Sequence, residues 1–231
     1  MVAHLAKIFN FCIFARKHCC MVTDTAAVPP VAPNSDSART PWQRCLAFLV
    51  RYRVRISLIV FVGLIAEDLL KGVKPNNLMD VGNLKSMLGL SLVVGGLALR
   101  SWAAGTLHKT TELTTSGPYA LIRHPLYVGS FLMMLGFCSL IGDRNNVWFI
   151  LGPFGFIYMV NLLHEERRLP KKFGARWQQY VQAVPRFVPY RLPTDGFATW
   201  SGQQWFRNRE YNAVAATTLG LIAVQAWAML S

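Results

Sequence analysis

A chain of 231 residues that is 53% hydrophobic and only 15% charged is long enough for one domain and too apolar for an ordinary soluble one. The net charge of +13 raises a nucleic-acid reading, but no known reading module is visible and the basic residues fall in the segments between apolar runs. Nucleic acid is set aside as a partner, and an all-α, polytopic integral membrane protein is expected.

The cysteines Cys12, Cys19, Cys20, Cys45 and Cys138 show no CxxC spacing, so neither a metal site nor a disulfide framework is expected. Lys7 and the apolar run IFNFCIFA at residues 8–15 weakly resemble a secretory signal. The run is short, however, and no small-x-small cleavage site follows it; Met21 serves as well as Met1 as a start. Residues 26–41 (AAVPPVAPNSDSARTP) cannot bury a core. Residues 1–41 therefore read as a disordered amino-terminal tail, and residues 42–231 as the membrane domain.

Five spans are expected within that domain, near Ile56–Leu70, Leu84–Leu99, Tyr127–Ile141, Val147–Leu163 and Tyr211–Leu230. Several fall short of the ~20 residues of a full crossing, so the third and fourth, joined by GDRNN, are expected to form a short re-entrant or tilted hairpin. All Lys and Arg except Lys71, Lys74, Lys85 and Arg144 lie on one side of this arrangement. The positive-inside rule then turns that side to the cytoplasm.

Two polar islands border these spans: GPYALIRHPLYVG at residues 117–129 and HEERRLPKKFGARWQQYVQAVPRFVP at residues 164–189. Ionisable groups kept near lipid are costly and mark a functional site by default, so Arg123, His124, Glu165 and Glu166 are the catalytic candidates. Pro125 suits the first position of the third span, where its missing N–H costs nothing. The helix amino terminus beside Arg123 and His124 would then attract a carboxylate or phosphate. Glu165 and Glu166 are read as ending the fourth span, one carboxylate facing a ligand and the other pairing with Arg167, Arg168 or Arg123. The glycines and Ser130 of the third and fourth spans, Gly129, Gly136, Gly152 and Gly155, are read as allowing close helix packing. Phe173, Trp177, Tyr180, Val181 and Val184 recur at three- and four-residue steps, which predicts an amphipathic helix lying along the lipid headgroups.

The stretches TTSGPYALIRHPLYVG and EERRLPKKFGARWQQYVQAVPRFVP resemble the isoprenylcysteine carboxyl methyltransferase family, whose pattern is GPYxxxRHPxYxG followed by EExxLxxxFGxxYxxYxxxVPRxxP. The resemblance covers about residues 100–190, the catalytic half, and the tail NREYNAV with a final span at 211–230 looks like bacterial members. It implies transfer of a methyl group from S-adenosyl-L-methionine to a lipophilic acceptor, at a site facing the cytoplasm in a multi-pass bacterial inner-membrane protein. It further implies cofactor contacts at Thr111, Glu112, Leu113, Thr114, Tyr119, His124, Pro125, Leu126, Tyr127 and Glu165. Arg123 and His124 are assigned to the cofactor carboxylate, and Tyr119 and Tyr127 to adenine or the sulfonium. Two positions depart from the family: Thr111 stands where it has His, and Asn161 where it has an acceptor-associated Arg. Asn161 is the substrate-binding candidate, and its departure leaves the acceptor open. The rival readings are a phospholipid N-methyltransferase, an NADPH-dependent membrane reductase, and a non-enzymatic basic scaffold that holds anionic lipid through Arg167, Arg168, Lys171 and Lys172. The bilayer and a lipophilic acceptor are the expected partners, with no metal.

Overall fold

The computed structural model describes residues 63–80, 82–108, 112–189 and 200–230, all of them helical or irregular with no strand among them. The expected disordered tail at 1–41, most of the first span and Thr111 lie outside these residues; residues 63–70 are helical. The long elements are α1 (Leu84–Thr106), α3 (Pro125–Ile141), α5 (Gly155–Phe173) and α8 (Tyr211–Leu230). Shorter helices connect them: α2 (Pro118–Leu121), α4 (Arg144–Phe149), α6 (Ala175–Ala183) and α7 (Gly202–Arg207).

Three stretches, Leu84–Thr106, Asn145–Phe173 and Tyr211–Leu230, are long and apolar enough to cross a bilayer, and α3 is a shorter apolar helix of 17 residues. The chain is thus an all-helical polytopic membrane protein. The fourth span corrects the expectation of a short hairpin arm. Residues 145–173 run as one helical stretch of 29 residues. It passes through a π-helical turn at Ile150–Phe154, where Pro153 cannot donate to the regular ladder. Helix α5 also continues eight residues beyond Glu165, closing on Lys171 and Lys172. The acidic pair therefore does not sit at a helix carboxyl end.

Helices α1 and α3 are the packed heart of the fold. A Cβ placed on Gly96 would meet the Gly129 carbonyl oxygen at 2.6 Å, and one on Gly136 would meet that of Gly89 at 2.6 Å. Residue 89 meets 136 and residue 96 meets 129, so the helices run antiparallel, with backbones as close as only glycine permits. Gly152 and Gly155, expected to do the same, do not: Gly152 has nothing within 4 Å, and Gly155 meets only the carbonyl of Ile150, five residues before it.

Polar bonds tie both ends of this pair. At the end remote from the islands, Asn76 donates to the Ser139 carbonyl at 3.0 Å, and Gln225 accepts from the Leu78 N–H at 2.9 Å. At the island end, the Arg100 guanidinium on α1 pairs with Glu210 at 2.9 and 3.1 Å. Both side chains are buried.

Candidate functional site

Pro125 opens α3 with His124 as its preceding residue, as the missing N–H of proline favours. The imidazole makes no capping bond to the helix it precedes. It turns instead toward α5, where His124 Nε2 lies 3.1 Å from Glu166 Oε1. The Glu166 carboxylate also receives Arg186 at 2.8 and 3.1 Å and Arg123 Nη1 at 3.4 Å. One carboxylate, only 11% exposed, thus faces three groups that can carry positive charge. The two islands meet at one end of the bundle.

Arg123 was assigned to a ligand carboxylate, and its geometry is otherwise. Nε donates to the Val184 carbonyl and Nη2 to the Val181 carbonyl, both at 2.7 Å, while its own N–H bonds to the Pro185 carbonyl at 2.9 Å. The planar fork of arginine spans two carbonyls at the end of a helix, where four acceptors lack intrahelical donors. Arg123 is the bracket that holds α6 against the His-Pro turn. The turn's own N–H groups are engaged as well, since Tyr127 and Val128 both donate to the His124 carbonyl at 3.1 Å.

The apolar face of helix α6, expected to meet lipid headgroups, is turned to protein. Gly174 turns the chain at φ +54, a conformation that favours glycine, and folds α6 back beside α5. Its apolar face, Trp177, Tyr180 and Val184, is buried against Leu113, Leu169 and Phe173. Tyr180 donates its hydroxyl to the Tyr119 carbonyl at 2.7 Å. Burial pushes the Tyr180 phenol above its usual pKa, against the opposing charge of Arg123. Periodicity identified the greasy face; protein rather than lipid covers it.

Beside this core runs an aromatic ladder. Tyr127 meets His124 edge-on at 5.7 Å and Tyr158 edge-on at 5.6 Å, and Tyr158 stacks beside Phe154 at 5.9 Å. Tyr158, Asn161 and Glu165 follow one another along α5 at helical spacing and share one face. Asn161 is buried and donates to the Ile157 carbonyl at 2.7 Å. Glu165 is half-buried and forms no ion pair among the described residues. Of the two carboxylates, Glu166 takes the paired role.

Of the remaining candidates, Tyr119, Pro125 and Tyr127 are buried in this cluster and Leu126 is half-buried at its edge. Leu113 packs onto α6, Thr114 Oγ1 accepts the His108 N–H at 3.1 Å, and Glu112 is exposed. Sequence reasoning missed Arg186 and Tyr158. The first is signalled by the VPR triplet of the second island, the second only by its place one turn before Asn161. No group of three or more His, Cys, Asp or Glu among the described residues could hold a metal ion.

The sequence pattern of the phospholipid methyltransferase family matches residues 84–176, from the start of α1 into α6. The cobalt-zinc-cadmium resistance protein CzcN of Cupriavidus metallidurans is 33% identical over 117 residues, 50% of this chain and 52% of its own length. The nickel-cobalt-cadmium resistance protein NccN of Alcaligenes xylosoxydans xylosoxydans is 31% identical over 152 residues, 62% of this chain and 67% of its own. The protein-S-isoprenylcysteine O-methyltransferase of Schizosaccharomyces pombe is 33% identical over 100 residues, 43% of this chain and 42% of its own. Sterol reductases match over similar stretches. The chain thus spans about two fifths to two thirds of the length of these curated relatives, and no solved structure matches it. With the family pattern lying across the site and a relative matched over two thirds of its length, the chain belongs to the isoprenylcysteine carboxyl methyltransferase-related family of membrane proteins.

Proposed function

We propose that the chain is a membrane methyltransferase that takes its methyl group from S-adenosyl-L-methionine and passes it to a lipophilic acceptor. The observation that carries this reading is the meeting of His124 and Glu166 at 3.1 Å beside a Glu165 that forms no ion pair among the described residues. The donor set suits the cofactor. Glu165 can accept from ribose hydroxyls or an amine, and the Tyr127 and Tyr158 rings offer faces to adenine or a sulfonium cation. The cofactor would supply an activated methyl group.

The residues of the chain hold the reactants. Glu166 fixes the orientation of the His124 ring, and Arg123 fastens α6 over the turn that carries it. Tyr127 and Tyr158 line an apolar wall that excludes water. For a carboxylate acceptor no proton need move, and placement with exclusion of water accounts for the rate. For an amine acceptor His124, steadied by Glu166, is the group placed to accept a proton. Asn161, buried on the same face as Glu165, is the residue we assign to the acceptor. The basic exposed residues at this end, Arg167, Arg168, Lys171 and Lys172, favour a cytoplasm-facing site in a bacterial inner membrane.

The test is transfer of radiolabelled methyl from S-adenosyl-L-methionine by purified protein, offered prenylcysteine acids and phosphatidylethanolamine in parallel. Label in either lipid supports the reading and names the acceptor class. Label in neither, with saturable NADPH binding, would replace it with the reductase reading that the sterol reductase similarity favours.

A further inference from the structure

The three residues Asn208, Arg209 and Glu210 enter α8 and lie outside both islands. Arg209 has φ +55, the one non-glycine residue with positive φ among those described. Such a conformation persists only where neighbouring contacts over-determine it. Its neighbours supply them. Asn208 donates to the Ala104 and Leu107 carbonyls at 2.6 and 3.1 Å, and Glu210 pairs with Arg100. Asn208 and Glu210 are both buried.

Each contact leads to a different part of the candidate site. From Glu210 the bonds run through the Arg100 guanidinium to Ser130 Oγ, and Ser130 donates on to the Leu126 carbonyl at 2.8 Å. Leu126 stands in the first turn of α3, between Pro125 and Tyr127. From Asn208 they run to the carbonyl of Leu107, beside His108, whose N–H donates to Thr114 Oγ1. Nearby, Trp200 and the Ser201 N–H cap the Ser101 and Gly105 carbonyls at 3.2 and 3.0 Å, so the same stretch of chain also fixes the end of α1.

We propose that Glu210, acting through Arg100 and Ser130, is a positioning residue that sets the first turn of α3 for cofactor binding, with Asn208 holding the Leu107 carbonyl at the end of α1. This rests on the methyltransferase reading. The final span is then a part of the site's support rather than an appended anchor. A lone Arg100 left buried by a Glu210 change could prevent folding. The deciding variant is therefore Ser130→Ala, which breaks the chain of bonds while leaving the ion pair intact.

Titration calorimetry of detergent-purified protein with S-adenosylhomocysteine reads both the dissociation constant and the fraction of competent sites. The expected result is that Ser130→Ala and Glu210→Gln weaken binding about tenfold, in the range that remote supporting residues reach, at unchanged stoichiometry. Ser130→Thr, which keeps the hydroxyl, should restore it. A merely structural role would lower the competent fraction and the melting point without moving the dissociation constant, and that result would overturn the inference. Should Glu210→Gln fail to fold, Ser130→Ala alone decides. Unaltered affinity in Ser130→Ala beside a wild type that binds would sink this inference only, whereas a wild type that does not bind would take the methyltransferase reading with it.

Discussion

His124 and Glu166 stand 42 positions apart in the chain and 3.1 Å apart in space, one at the amino end of α3 and the other two thirds of the way along α5. The carboxylate between them and the two arginines organises the whole island end. Removing it should be costly. Glu166→Ala leaves Arg123, Arg186 and His124 without their shared acceptor and is expected to destabilise the protein by about 2–3 kcal/mol. Thermal unfolding in detergent checks this. Glu165→Gln, with no ion pair to lose among the described residues, should leave the melting point unchanged.

Arg123 holds α6 through two carbonyls at once, and a lysine ammonium cannot reproduce that fork. Arg123→Lys is expected to cost about 1.5–3 kcal/mol, the value of hydrogen bonds from a charged donor, and to loosen the segment after Gly174. Limited trypsin digestion should then cut at Arg176 well before the wild type does. Equal rates would show that the bracket is dispensable.

The α1–α3 seam gives a comparison between glycines that the sequence does not distinguish. Gly96→Ala and Gly129→Ala each push a methyl group to 2.6 Å from a facing carbonyl and are expected to cost about 1–3 kcal/mol. Gly152→Ala meets nothing and should be neutral or slightly stabilising by about 0.5 kcal/mol through lower backbone entropy. Melting points of the three variants, measured side by side, test the packing assignment.

Tyr180 carries the pH dependence. Burial raises its pKa in the folded chain, so above the ordinary value of about 10 the folded state keeps a proton that the unfolded state has lost. The stability linked to the neutral phenol is complete below that pH and falls as pH rises beyond it. Tyr180→Phe should lose about 0.5–1.5 kcal/mol with its bond to Tyr119 and remove this part of the alkaline slope. Unfolding measured between neutral and strongly alkaline pH reads both effects.

Much of this end of the molecule was legible because ionisable residues beside apolar runs are rare and costly, which drew attention to Arg123, His124 and the acidic pair. What each residue does there was less legible. Arg123 is spent on backbone carbonyls, acceptors that every residue carries and no pattern displays. The greasy face of α6 was visible from its spacing, but spacing names a face and not its cover, and Leu113 and Tyr119 take the place expected of lipid. The acidic pair looks terminal in the sequence because the apolar run stops at Leu163, yet α5 continues to Phe173 with lysines closing its last turn. Glu210 and Arg100, 110 positions apart, share no local signal at all. Only the folded chain pairs them.

The most direct measurement is titration of purified wild type and His124→Ala with S-adenosylhomocysteine. The expected result is saturable binding of one ligand per chain by the wild type, weakened about tenfold or more when the imidazole is removed, a loss worth ~1.4 kcal/mol or above. No binding by the wild type, or equal binding by both, would contradict the claim that the His-Pro turn and the acidic pair enclose the cofactor.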